Sequence, residues 1–304
     1  MKKILLILAI VINSSILFSQ NNITYENDSI RCEYKKENGL LNGKYQSFYK
    51  NNNQKKAEGY FKNNNRSGVW TVWDKNGNIV AQRNYKSPYN FEQLVPNKPQ
   101  PLKYTPKYNS DKYLEYFQLK EKNIVWSKKV YSIISPENNP ILFTNNTLNN
   151  VLIENIKNEN IQIYSDDEFS KKLNINEIKL DDNIEYYLIK EAWLYDKERA
   201  LFEKRIIGLR PKFKNSKTSF WIYFPSTRKY LAQQKIVVNN SIKNIKSLDD
   251  LFFFNYYSSN ILSEMNIFYT DETKETIRDI EKKSSNDIEI NIIEIEHDIW
   301  ADSF

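Results

Sequence analysis

The sequence predicts an α+β protein in two parts, and three observations carry that reading. The first is an aromatic repeat, because Gly43, Tyr45, Phe48, Tyr49 and Tyr60 recur twenty-five residues later as Gly68, Trp70, Trp73, Asp74 and Tyr85. The second is a shift in composition. Five of the six glycines fall between Gly39 and Gly77, and five of the nine prolines between Pro88 and Pro106. The third is the return of apolar periodicity from about Lys112 onward, at helical and strand spacings and almost without glycine.

The opening MKKILLILAIVINSSILFSQ has two lysines, an apolar run from Ile4 to Ile12, then small and polar residues. That pattern is a secretory leader over residues 1–19, cut near Ser19 or Gln20. The run is interrupted too early to span a bilayer. Export leaves about 285 residues and lowers the formal charge from +6 to about +4, too mild to imply nucleic acid. Charge is uneven along the chain. From Asp271 to Phe304 there are eleven acids and four bases, whereas Lys35 to Lys129 is basic, an asymmetry suited to an ordered assembly or to a solvated face. The lone Cys32 cannot form an internal disulfide, and Asp28-Ser29-Ile30-Arg31 before it does not suit lipid attachment.

Residues 20–90 read as stacked hairpins. Each copy runs Gly-x-Tyr/Trp-x-x-Phe/Trp, turns around Asn52-Asn53 or Asn76-Gly77, and returns on a strand ending in an aromatic. Gly43, Gly68, Asn76 and Gly77 are the expected turn positions. The stretch EGYFKNNNRSGVWTVWDKNGN resembles MORN-like repeats, which implies an antiparallel β-meander. Residues 91–111 form a Pro-rich linker, and the parts on either side of it are expected to fold independently.

Over residues 112–304 the pattern predicts a mixed α+β domain. EKNIVWSKKVYSIISPENNPILF reads as a helix stopped by Pro136, with Trp126, Val130, Ile133 and Ile134 on one face. NTLNNVLIENI and DDEFSKKL read as short helices. EYYLIKEAWLYDKERALFEKRIIGLRPKF reads as two long strands around the turn Asp196-Lys197-Glu198-Arg199, and SFWIYFPSTRKYL as a strand ended by Pro225. SLDDLFFFNYYSSNIL has Ser247 and Asp250 at capping-box spacing and reads as helical to Leu262. Ile288, Ile292, Ile295 and Ile299 predict a closing helix, although Ile288, Ile290 and Ile292 also suit a strand.

In that order, VWSKKVYSIIS with NNPILF, EAWLYDKERALFEKRIIGLRP, WIYFPSTRKYL, SLDDLFFFNYYSSNI and the closing EIEHDIWADSF resemble the GldN (PorN) family of the type IX secretion and gliding-motility machinery of Bacteroidota. The resemblance runs from about residue 112 to the end and does not extend to the hairpin repeats. It implies a non-enzymatic periplasmic protein, peripheral to the outer membrane. It further implies a homo-oligomeric ring assembled with an outer-membrane lipoprotein of the GldK or PorK type. The other reading is a free cell-envelope binding protein that uses the repeats as its contact surface.

Read without the family, the residues offer little chemistry. Asp74-Lys75-Asn76-Gly77-Asn78 begins like a calcium loop but lacks the later carboxylate. Gly39 to Lys44 is one residue short of a phosphate loop and is followed by Tyr45. His297 stands near Glu294, Glu296 and Asp298, but one histidine makes a poor zinc site, and no nucleophile motif accompanies it. Asp166-Asp167-Glu168, Asp181-Asp182 and Asp249-Asp250 are adjacent acids whose side chains diverge. No catalytic, cofactor or metal residue is assigned. The aromatic run with Phe252, Phe253, Phe254, Tyr256 and Tyr257 is apolar around nearly a whole helix, which suits a subunit interface or a helix sandwiched in its own domain.

Overall fold

A computed structural model describes residues 21–95, 100–178, 180, 183–215, 218–236, 245–266 and 285–302. The leader and Asp181-Asp182 lie outside the described residues. The chain is α+β: an N-terminal antiparallel sheet of eight strands precedes a mixed region with a seven-stranded sheet.

The first sheet comprises β1 (Asn21–Glu26), β2 (Ile30–Glu37), β3 (Leu40–Leu41), β4 (Gly43–Tyr49), β5 (Lys55–Lys62), β6 (Asn65–Trp73), β7 (Ile79–Ser87) and β8 (Asn90–Val95). Apart from the short β3, which pairs with β2, each strand pairs with the next along the chain. Two-residue turns fall at Asn38-Gly39, Asn63-Asn64 and Pro88-Tyr89, twenty-five residues apart, between the end pairs Glu37–Leu40, Lys62–Asn65 and Ser87–Asn90. Asn38, Gly39, Asn63 and Asn64 all have positive φ, as the turn that matches strand twist requires. This corrects the expected turn positions. Gly43 begins β4 and Gly68 lies inside β6, opposite Phe61 and Tyr85 respectively. Asn76-Gly77 does close a turn, a longer one in which Asp74 Oδ1 accepts from the backbone N–H groups of Asn76 and Asn78 at 2.8 and 2.9 Å. That carboxylate is occupied by the turn itself.

The second sheet is built from β9 (Ile124–Ile134), β10 (Ile163–Tyr164), β11 (Lys172–Leu173), β12 (Ile184–Asp196), β13 (Leu201–Phe213), β14 (Trp221–Tyr223) and β15 (Asn260–Asn266), in the order β11-β10-β14-β13-β12-β9-β15. Helices α1 (Pro140–Phe143), α2 (Thr147–Lys157), α3 (Phe224–Gln233) and α4 (Leu248–Phe253) cover part of one face, over a core that includes Leu148, Leu152, Tyr187, Ile189, Leu209 and Phe252. The last element is α5 (Ser285–Asp302).

Several expectations needed correction. Residues 124–134 form a strand, because Trp126, Val130 and Ile134 also satisfy a period of two and a thirteen-residue neighbour, β12, runs alongside. DDEFSKKL is a turn that leads into β11, since Asp166 takes the backbone N–H groups of Glu168, Ser170 and Lys171 away from any helix, and Phe169 has positive φ. Pro225 lies in the first turn of α3, where its missing donor costs nothing. The capping box of Ser247 and Asp250 is formed, but α4 stops at Phe253 and the chain reverses through Asn255 at positive φ.

Candidate functional site

Helix α5 lies between the two sheets. Ile290, Ile293 and Trp300 join the core of the first sheet, while Ile288 and Ile292 pack with Val130, Trp193 and Ile261 of the second. The repeat sheet lacks helices of its own to cover its inner face, so the far end of the chain supplies one. The expected independence of the two parts does not survive this packing, because Tyr45, Trp70, Tyr195, Leu201 and Trp300 share one core.

Ion pairs run along the same junction. Lys36 meets Glu289 at 2.8 Å, Lys56 meets Glu294 at 2.9 Å and Asp298 at 2.7 Å, and Arg66 meets Glu296 at 2.7 Å. The basic early region and the acidic side chains of α5 are therefore partners. Arg66 and Arg83 both lay their guanidinium groups over Trp300, 4.8 and 4.2 Å from its ring centre. A cavity of about 100 Å³ remains beside them, lined in part by Arg66, Tyr85, Trp193, Lys204, Glu289 and Glu296. Burial pushes the Lys204 ammonium below its ordinary range, and its Nζ rests 3.7 Å from the centre of the Trp193 ring.

His297 is fully buried at the centre, with the rings of Tyr45, Trp70 and Trp300 between 5.2 and 5.8 Å away. Its Nδ1 lies 2.9 Å from Glu294 Oε1, which assigns the imidazole proton to Nδ1, and Tyr45 Oη donates to the same oxygen at 2.8 Å. Burial pushes His297 below its ordinary value, against the pull of Glu294. Burial works to raise Glu294, but His297 and Lys56 together hold it well below the carboxylate range. Burial, and then Glu294, push the Cys32 thiol up, so it is a protonated core group rather than a nucleophile. The histidine joins the helix to the sheet and presents neither nitrogen to a substrate.

The segment EAWLYDKERALFEKR forms a second lock. Glu191 accepts from Tyr257 Oη, and from Trp193 Nε1 at 3.1 Å. At the β12–β13 turn, Arg199 bonds Asp196 at 2.7 Å and Glu203 at 2.5 Å, while Arg205 holds Glu203 at 2.6 Å. Arg83 of the repeat sheet donates to the carbonyl of Ala200 at 3.0 Å, which ties this turn to β7. The Pro-rich stretch is strapped down here as well, because Leu102 N–H donates to the Glu198 carbonyl at 3.1 Å, and just beyond that stretch Phe117 packs under Arg199. A third lock joins WIYFPSTRKYL to SLDD, where Arg228 grips Asp249 through two bonds of 2.8 and 2.7 Å. Burial pushes Asp249 up, and the Arg228 fork opposes that shift.

The candidate interface aromatics are largely internal. Phe252, Phe253 and Tyr257 are buried in the chain's own core, and Phe254 and Tyr256 are half-buried. Tyr89 of the repeat sheet stacks near Phe253 and Phe254, with its hydroxyl donating to the Phe253 carbonyl at 2.8 Å. Sequence reasoning had weighed a sandwiched helix, and the second layer of that sandwich is the repeat module. It missed Lys56, Arg66 and Arg83, although the opposed charge of the two ends was their visible trace. Among the described residues, no three His, Cys, Asp or Glu side chains are grouped to hold a metal ion, and no helix is long and apolar enough to cross a membrane.

The locks fall on the segments that carried the resemblance, and the model of the family described as gliding motility associated protein GldN matches residues 119–301. The chain belongs to the GldN family. It is accordingly a component of the gliding-motility and type IX secretion machinery, in a family of structural components that is not a known enzyme family. None of the curated proteins compared with the chain matches it. The GldN match begins just before β9 and takes in nearly all of α5. The helix thus belongs to the family region, yet one of its faces is covered by a sheet outside the match.

Proposed function

We propose that this GldN-family chain is a non-enzymatic structural subunit of a periplasmic ring in type IX secretion and gliding motility. It would be exported by its leader, repeated around the ring, and held near the outer membrane by a lipoprotein of the GldK or PorK type. The observation that carries the reading is the use of the family segments: Glu191, Asp196, Arg199, Glu203, Arg228 and Asp249 spend most of their polar atoms on one another and on neighbouring side-chain and backbone groups. Side chains committed in this way hold a shape. The repeat sheet is an accessory layer whose outer face, carrying Lys44, Tyr60 and Lys62, meets another envelope component.

Fractionation and affinity purification of the tagged chain test the proposal. The expected result is a form lacking about the first nineteen residues, released with the periplasm or outer membrane and eluting from detergent extracts as a large complex that contains a lipoprotein. A full-length cytoplasmic form, or a chain that elutes alone at its own mass, would overturn it.

A further inference from the structure

Unpaired strand edges invite pairing with other chains, and natural sheets blunt them with bulges, charges, prolines or covering groups. The ends of the two sheets are β1, β8, β11 and β15, and they are guarded very unequally. Along β8, the Gln100 side chain bonds both the N–H and the carbonyl of Gln93 at 2.9 Å, and Asn90 does the same for Tyr104 at 2.9 and 3.0 Å. Two register shifts break β8 further. Strand β11 has only two residues, and β15 carries a register shift of its own. Strand β1 has none of these devices apart from the charge of its last residue, Glu26. Six consecutive residues pair with β2 without a shift, and NNITYE contains no lysine and no proline. Among the described residues, the backbone groups on its outer edge meet no partner.

We propose that β1 is a strand-addition edge and that its partner is β1 of a second copy of this chain, running antiparallel. The sequence supports self-pairing because it is complementary about Thr24. For the inner faces of both copies to stay on one side, residues of the same parity must oppose one another, and the register proposed is the one that centres on Thr24. That register sets Ile23 opposite Tyr25 and Asn22 opposite Glu26. Thr–Thr, β-branched–aromatic and amide–carboxylate pairs are favourable cross-strand neighbours, and no like charges meet. Ile23 and Tyr25 already pack against the first sheet's core, so their pairing would extend that apolar layer across the junction. A contact of five or six residues a side is small, so the isolated chain should dimerise weakly and in proportion to its concentration.

The register makes the test specific. The purified chain freed of residues 1–19, without any lipoprotein, is followed by sedimentation, so the outcome does not depend on ring assembly. Asn22→Lys sets a lysine opposite Glu26 of the other copy and should tighten the dimer. Asn22→Lys combined with Glu26→Lys sets lysine against lysine twice and should weaken it by about tenfold. Thr24→Cys should give a covalent dimer under mild oxidation, since the only natural cysteine, Cys32, is buried. A chain that stays monomeric at about millimolar concentration, or a dimer indifferent to both charge variants and to the cysteine, would overturn the proposal.

Discussion

The repeat sheet and the GldN-family sheet are closed by opposite means. In the first, almost every strand pairs with its neighbour in sequence, and the turns recur every twenty-five residues. In the second, β12 to β14 follow one another, but β9, β12 and β15 are adjacent in space though far apart along the chain, and β10 lies beside β14. Covering reverses the contrast. The family sheet is covered mainly by helices close to it in sequence, whereas the repeat sheet waits for α5, roughly two hundred residues after its last strand. A strongly local secondary structure can therefore depend on the most distant contact in the molecule.

The sharpest way to break the comparison is to remove α5. A chain ending at Asn266 would expose the inner face of the first sheet around Cys32, Tyr45, Ala57, Trp70, Ala81 and Phe91, all now buried. We expect it to lose the native signature of both sheets and to aggregate, and residues 20–95 alone to stay unfolded by circular dichroism. A well-dispersed amide spectrum from either piece would show that the first sheet stands alone. The single change Trp300→Ala should act in the same direction, at about 3–5 kcal/mol in a denaturant titration.

The next effect tests whether the two sheets unfold together. Arg228 and Asp249 lie in the family region, remote in sequence from the repeats, and form a buried two-bond pair. Asp249→Asn leaves the guanidinium without its anion and should cost about 3–5 kcal/mol. Because α5 couples the cores, heat should still melt the variant in one transition, read equally by tryptophans of both regions. Two separated transitions would mean that the junction transmits little.

How far the sequence revealed this architecture depended on whether a pattern was local. The hairpins were legible because aromatics alternate and the turn residues are asparagine and glycine. The β12–β13 pair was legible because a charged turn divides two apolar runs. Strand β9 was misread as a helix because four-residue spacing satisfies both periods, and only its position beside β12 decides between them. The locks were half legible: the acidic end and the basic beginning were plain, but charge alone does not say that Lys56 will find Glu294 and Asp298 rather than solvent or a partner. The aromatic run at Phe252 looked like an interface because its covering layer, Tyr89 and its neighbours, comes from a module that the Pro-rich stretch seemed to set apart.

Acid should loosen the junction before it affects the rest. His297 titrates below its ordinary value in the folded chain, so as pH falls through about 6.5 the unfolded chain takes up the proton first and stability declines. Glu294 is depressed when folded, so its contribution is complete above about pH 4.5 and is lost as pH falls further toward its folded value. The two slopes have the same sign. The urea midpoint should drop between pH 7.5 and 5.5, and His297→Gln should flatten that interval while leaving the steeper loss at lower pH. A wild-type midpoint constant across the first interval would contradict the buried neutral histidine.

The smallest effect separates two glycines of the repeat sheet that look alike in sequence. At Gly59 an added methyl would sit 2.0 Å from Trp70 Cδ2, a ring packed against Tyr45, Phe61 and Arg66 that can move only by disturbing them. At Gly68 nothing lies within 4 Å, but φ is +66°, where a side chain is strained whatever the space around it. Gly68→Ala should therefore cost about 1 kcal/mol, a backbone penalty alone. Gly59→Ala should cost about 1–3 kcal/mol, because the indole that meets α5 must shift. The two should also differ in reach. Gly59→Ala should speed proteolysis at the α5 end by displacing Trp70 from His297 and Trp300, while Gly68→Ala leaves that end as resistant as before. Equal losses confined to the repeat sheet would mean that the indole does not carry strain from the hairpins to the helix, and that the two regions are joined by the ion pairs alone.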